Sequence, residues 1–269
     1  MKTYNQVFSK LKRKKERALV AFTVIGDPNY KTSLEIVKKI IDSGADILEL
    51  GLPFSDPIAD GPTIQAADNR ALKNKFNTDK AFQFIKSIRE YNNEIPIGLL
   101  VYGNLVFQRG IKKFYSDTSK AGINSVLIAD VPPEEADEYA KAARKHKIDT
   151  VFIVSPLTSN ERLKKIDKKI RGFVYVVSRL GVTGAKASLK ESTLDLVRRV
   201  RKFTKKPLCV GFGISKPEHV KSVIKAGADG AIVGSAIVDL IEKNINNKKR
   251  MLDKIGNYVK NMKNATKIM

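Results

Sequence analysis

From Ala18 onward, short runs rich in β-branched and apolar residues alternate with segments of helical period, and the alternation recurs eight times. Each run is long enough for one strand, and each intervening segment is long enough for a helix that returns the chain to the same end of a sheet. That is the signature of repeated βα units on a parallel sheet. The expected strands are Ala18 to Thr23, Ala45 to Leu50, Ile97 to Tyr102, Ser125 to Asp130, Thr150 to Ser155, Phe173 to Ser178, Pro207 to Phe212 and Gly230 to Ser235. Eight such units in 269 residues match the ~250 residues of a closed barrel. The expected fold is α/β, a single (β/α)8 TIM barrel over 1–269. Extra N-terminal and C-terminal helices, Tyr4 to Glu16 and Met251 to Met262, are expected to cover the barrel's ends.

The segments between strands carry matching punctuation. Leu34, Val37, Ile40 and Ile41 recur at helical spacing, with Thr32 and Glu35 as a capping box and Gly44 as the stop. Gly122 and Gly227 repeat the stop, and Gly44-Ala45-Asp46 echoes Gly227-Ala228-Asp229 as a repeated helix-to-strand joint. In a barrel of this kind the loops that follow the strands place the chemistry, so functional residues are sought at strand ends.

Composition narrows the function classes. With 42% hydrophobic and 29% charged residues the chain is ordinary globular protein. Its longest apolar runs, Ile95 to Val101 and Gly230 to Val238, fall short of the ~18 residues that a membrane span needs, so no membrane role is expected. The N-terminus lacks an apolar signal core and Cys209 is the single cysteine, which points to the cytoplasm. The formal net charge of +22 invites a nucleic-acid partner. Yet the basic residues are dispersed, with small clusters at Lys10 to Lys15, Lys164 to Lys169 and Lys248 to Arg250, and no basic stripe is interleaved with aromatics. No nucleic acid is expected; the positive field favours an anionic substrate.

Three constellations carry chemistry. Glu49 interrupts the apolar second strand, where desolvation raises a carboxyl toward the range useful for proton transfer. A buried ion pair is the other reading, and the strand alone leaves both open. The following loop, Ser55 to Pro62, adds Asp56 and Asp60, both also explained as turn residues. The second constellation pairs Gly211-Phe212-Gly213-Ile214-Ser215 after strand seven with Gly234-Ser235, which opens a short helix. Two glycine loops and a helix N-terminus in the last two units match a phosphate cradle, although each is also an ordinary tight turn. The third is a long loop after strand six, Arg179 to Ser188, whose glycines suit a lid. No expected strand holds a lysine for a Schiff base. His146 and His219 lie in separate helical segments, which disfavours lysine-based and zinc-based aldol chemistry.

These residues resemble the tryptophan synthase alpha chain family over essentially the whole length. The matching motifs are Leu48 to Pro57 with Ala59-Asp60-Gly61-Pro62, Tyr102-Gly103-Asn104, Ala129 to Pro132, Ser178-Arg179 with Gly181 to Gly184, Gly211 to Ile214, and Gly234-Ser235-Ala236. The resemblance implies a lyase of tryptophan biosynthesis that cleaves indole-3-glycerol phosphate to indole and glyceraldehyde 3-phosphate, with no metal or organic cofactor in this chain. It makes Glu49 the general acid and base and Asp60 the acceptor of the indole N–H. It assigns phosphate to Gly184, Gly213, Gly234 and Ser235 with Phe212 alongside. The indole pocket falls to Phe22, Leu100, Leu127, Ala129 and Ile153, residues that barrel core explains equally well. Tyr102 and Tyr175 join the substrate contacts, and Thr183 closes a lid onto Asp60.

Indole crosses membranes, and the resemblance implies its delivery to a tryptophan synthase beta chain carrying pyridoxal phosphate, in an αββα tetramer. Docking is expected around the active-site mouth, on Pro53 to Pro57, Asn104, Phe107 and Val131 to Pro133. The rival readings are a sugar-phosphate isomerase or epimerase sharing the glycine loops, and a basic nucleic-acid protein. Release of indole separates the favoured reading from both.

Overall fold

All eight expected strands form in the computed structural model, which describes residues 1–177 and 191–268. They are β1 (Ala18–Val24), β2 (Ile47–Gly51), β3 (Ile97–Val101), β4 (Ser125–Ile128), a fifth strand interrupted at Val151 into β5 (Asp149–Thr150) and β6 (Phe152–Val154), β7 (Val174–Val177), β8 (Leu208–Gly211) and β9 (Gly230–Val233). Pairing is parallel throughout, in the order β5-β4-β3-β2-β1-β9-β8-β7-β6. Because β5 and β6 are two halves of one strand, that order closes on itself as a barrel. Buried on both faces, the strands read as continuous apolar runs rather than alternating ones.

The helices are α1 (Tyr4–Arg13), α2 (Tyr30–Asp42), α3 (Pro62–Lys73), α4 (Thr78–Tyr91), α5 (Gly103–Arg109), α6 (Ile111–Lys120), α7 (Asp137–Lys145), α8 (Asn160–Lys169), α9 (Glu191–Arg201), α10 (Pro217–Lys225), α11 (Ser235–Lys243) and α12 (Lys248–Asn264). The expected capping box on Thr32 and Glu35 is not what starts α2. The Asn29 side chain accepts the Thr32 N–H, so the helix begins three residues earlier; an asparagine ahead of the periodic run is as good a cap as a threonine. The stop at Gly44 holds, with φ of +98° directly after the Ser43 C-cap.

The two extra helices divide their roles. Helix α1 closes the N-terminal end of the barrel, its Tyr4 hydroxyl 2.7 Å from Ser125 Oγ and its ring edge-on to Phe173. Helix α12 does not cover an end: it packs beside α2, α10 and α11, on the barrel's flank. Its buried stripe of Met251, Ile255, Val259 and Met262 needs a helical neighbour on each side, and the gap between the first and seventh units supplies them. The repeated Gly-Ala-Asp joint also has a physical role. Asp46 accepts the Leu19 N–H and pairs with Lys263, and Asp229 accepts the Leu208 N–H and pairs with Arg201. Each aspartate thus ties the start of its own strand to the neighbouring one. Among the described residues no helix is long and apolar enough to cross a membrane.

Candidate active site

Strand register assembles the site. Phe22 pairs with Glu49, Leu100 with Leu127, Ile153 with Tyr175, and Tyr175 with Cys209. Register partners in a sheet share a face, so these side chains point into the barrel together. Glycine makes room for the large ones. A Cβ on Gly211 would lie 2.5 Å from the Tyr175 hydroxyl, and one on Gly51 would lie 2.8 Å from Phe22 Cζ.

Glu49 is 3% exposed, and its Oε2 has no hydrogen-bond partner. No lysine, arginine or histidine pairs with it among the described residues, so the buried ion pair left open by the sequence is not formed there. Burial, and after it the charge of Asp60, pushes the Glu49 carboxyl up to about 8. It is therefore a protonated acid near neutrality, able to give a proton and take one back.

This has a consequence for stability. Between the ordinary carboxyl range and about 8 the folded chain holds a proton on Glu49 that the unfolded chain has released, so Glu49's contribution to stability is lost as pH rises through that window. Glu49→Gln removes the titration. Its stability is expected to gain on the parent's steadily from pH 5 to 8 and to level off above, by a few kcal/mol in total. A constant difference across that range, measured by thermal denaturation, would show that Glu49 ionises as easily in the fold as outside it.

Asp60 comes from the loop between β2 and α3. The Tyr102 hydroxyl donates to Asp60 Oδ2 at 2.7 Å and accepts the Ala59 N–H at 3.1 Å. Burial raises the Asp60 carboxyl, and Tyr102's donation opposes the shift. A third acid joins them. Asp68 on α3 is 4% exposed, accepts the Phe54 N–H, and is pushed up to about 8 by burial and then by Asp60. Asp56, by contrast, is exposed and bonded to its neighbour Ser55.

Beside these acids opens a largely apolar cavity. Phe22, Leu100, Ala129, Ile153, Tyr175 and Phe212 supply apolar wall, Asp60 a carboxylate, and Gly213, Gly234 and Ser235 the opposite rim. That rim leaves backbone open to close approach. Phe212 and Gly213 both have positive φ, +66° and +77°. For a bulky residue this conformation is strained by ~1–3 kcal/mol and persists only where the surroundings impose it. Gly234 caps α11, whose first N–H groups face outward from the helix end.

Ten of the site residues expected from the sequence thus line one cavity. Glu49 lies beside Phe22 in the register, Leu127 is buried beside Leu100, and Tyr102 is 2% exposed with its hydroxyl spent on Asp60 and Ala59. Thr183 and Gly184 lie outside the described residues. Sequence reasoning missed Ile64 and Ile232 on the walls, because apolar residues in an apolar barrel carry no distinguishing mark, and it named Ile214 only as part of the glycine loop. It also passed over His219, whose Nδ1 lies 2.9 Å from the Gly213 carbonyl and 3.3 Å from the Ser215 nitrogen. The histidine four residues after Ser215, one helical turn into α10, was the available signal.

Comparison with known proteins fits this geometry. Residues 8–267 match the family model described as tryptophan synthase alpha chain. The chain is 49% identical over 248 residues to the tryptophan synthase alpha chain of Methanothermobacter thermautotrophicus, covering 92% of each. It is 47% identical over 268 residues to that of Vibrio cholerae, covering both in full. Among solved structures it resembles the tryptophan synthase α2β2 complex of Pyrococcus furiosus, with a TM-score of 0.86 and 38% identity over 92% of this chain and 98% of the other. A match of this length and identity, on a barrel whose cavity brings Asp60 and the glycine rim together beside Glu49, means that the chain belongs to the tryptophan synthase alpha chain family.

Proposed function

We propose that Glu49 and Asp60 carry out the reaction of this family, the cleavage of indole-3-glycerol phosphate to indole and glyceraldehyde 3-phosphate. The observation that carries the reading is a buried, protonated carboxyl, Glu49, with no partner for its Oε2 among the described residues, set beside Phe22 in the strand register and close enough to Asp60 to feel its charge, while Asp60, hydrogen-bonded by Tyr102, lies on the wall of an apolar cavity that ends in a glycine rim. Breaking the bond between indole C3 and the glycerol chain requires a proton at C3, loss of the proton on the adjacent hydroxyl, and an acceptor for positive charge at the ring nitrogen. Glu49 gives its proton to C3 and then takes the hydroxyl proton, which returns it to its starting state. Asp60 accepts the indole N–H as that charge develops.

Phe22, Leu100, Leu127, Ala129 and Ile153 hold the indole ring, with Tyr175 against it. The phosphate sits on the backbone of Gly184, Gly213, Gly234 and Ser235 beside Phe212. Thr183 closes on Asp60. Tyr102 positions Asp60 instead of touching the ring: Tyr102→Phe is expected to lower kcat about 10-fold, since a 1 Å misplacement costs up to ~10², while KM changes little. Unchanged kcat would detach Tyr102 from the chemistry.

The family's alpha chain uses no cofactor of its own; pyridoxal phosphate belongs to the beta chain. Three exposed apolar side chains follow strand ends on the site's face, Ile58, Phe107 and Leu157, at 78%, 68% and 76% exposure. They support docking of a beta chain around the mouth, in an α2β2 complex that receives the indole. The test of the whole reading is one assay: purified chain and indole-3-glycerol phosphate, with and without beta chain, read as indole released. Turnover that rises with beta chain is expected; no indole in either case would overturn it.

A further inference from the structure

Helices α3 and α11 both begin at the site. Helix α3 starts two residues after Asp60, and α11 starts from Gly234 and Ser235. Arg70 lies about 12 Å along α3 from its start, and Glu242 about 10 Å along α11, at 1.5 Å per residue. There the two helices are tied. Arg70 Nη1 donates to Glu242 Oε1 at 3.2 Å, while Nε and Nη2 donate to both carboxylate oxygens of Asp27 at 2.7 and 3.0 Å. Asp27 is fully buried in the loop after β1. One turn further along α3, the Asn74 amide donates to the Pro28 carbonyl of the same loop at 2.7 Å.

We propose that Arg70 is a positioning residue for the reaction: by clamping Asp27 and Glu242 to α3 it holds the Asp60 end of the site at a set distance from the phosphate end. Two helices that start at the site and are pinned far from it behave as levers, so a small change in the angle between them displaces their starts. The planar guanidinium is the one side chain that can present two N–H groups to one carboxylate and a third to another. Lysine at the same place keeps a charge for Asp27 but not the fork. Ala71 or Leu72 would point elsewhere on the helix, because only positions three or four apart share a face. The proposal rests on the reading of Asp60 and the Gly234 rim given above.

The test compares Arg70→Lys and Glu242→Ala with the parent, by steady-state release of indole and by titration with glycerol phosphate followed as thermal protection. Arg70→Lys is expected to lower kcat about 10-fold, within the ~10² that a 1 Å misplacement costs, and to raise KM severalfold. Glu242→Ala breaks only a half-exposed pair, so KM and the glycerol phosphate dissociation constant should rise about two- to fivefold. The double variant should be no worse than Arg70→Lys alone, because both changes cut the same tie. A merely structural arginine would lower the melting temperature while leaving kcat and KM of the folded enzyme alone. Parent-like kcat and KM in Arg70→Lys would therefore overturn the proposal, and if that variant does not fold, parent-like constants in Glu242→Ala would do so. Gly234→Asp in the same titration separates the two failures. If it binds glycerol phosphate as the parent does, the phosphate reading is wrong; if it does not, the brace stands or falls on the Arg70 and Glu242 data.

Discussion

Glu49→Gln is expected to fold, to bind indole-3-glycerol phosphate within a fewfold of the parent, and to release indole ~10²- to 10⁴-fold more slowly, the usual worth of a positioned general acid and base. The substitution is nearly isosteric, and the native carboxyl is neutral near pH 7, so neither packing nor buried charge changes there. What is lost is the transferable proton. Steady-state kcat with a separate binding measurement checks this. Turnover within about twofold of the parent, far from that loss, would remove Glu49 from the mechanism, and the unpartnered Oε2 would need another explanation.

The second large effect is expected at the opposite rim. A Cβ on Gly234 would stand 2.9 Å from Phe22 Cδ1 and 3.2 Å from Phe22 Cβ, so any side chain there pushes into the aromatic wall. Gly234→Asp adds a negative charge at the helix end where the anion is proposed to sit. Losing two charge-assisted hydrogen bonds, at ~1.5–3 kcal/mol each, weakens binding of a phosphate-bearing ligand about 10²- to 10⁴-fold. Free indole, which has no charged contact to lose at the rim, should be weakened less, through the displaced Phe22 alone. Protection against heat by glycerol phosphate reads the effect directly. Protection equal to the parent's would place the phosphate elsewhere.

Much of this site was legible before any coordinates. Glu49 stood out as a charge in an apolar strand, and the two glycine loops stood out because, paired in the last two units with a helix N-terminus, they match a phosphate cradle. Residues that act through support were not legible. Asp68, Arg70 and His219 sit in helices where polar residues at the same spacing usually face solvent. Nothing in α3 distinguishes Arg70, which clamps buried Asp27, from Lys73, which is exposed. Tyr102 was legible as a site residue, but its partner was not, since Asp60 lies 42 positions away.

The sequence by itself determined the barrel and the chemistry it can hold. Eight alternating units close in only one common way, and a carboxyl among apolar neighbours must either find a cation or keep its proton. Tertiary structure decided which of those two Glu49 does among the described residues, because the strands around it bring Phe22, Gly98 and the Asp60 loop near it and, among those residues, no cation. It also decided that α12 lies along the flank, that Asn29 starts α2, and that Arg70 ties two helices at their far ends. Periodicity states which face of an element is buried. Which neighbour that face meets is a matter of long-range packing, and no local pattern encodes it.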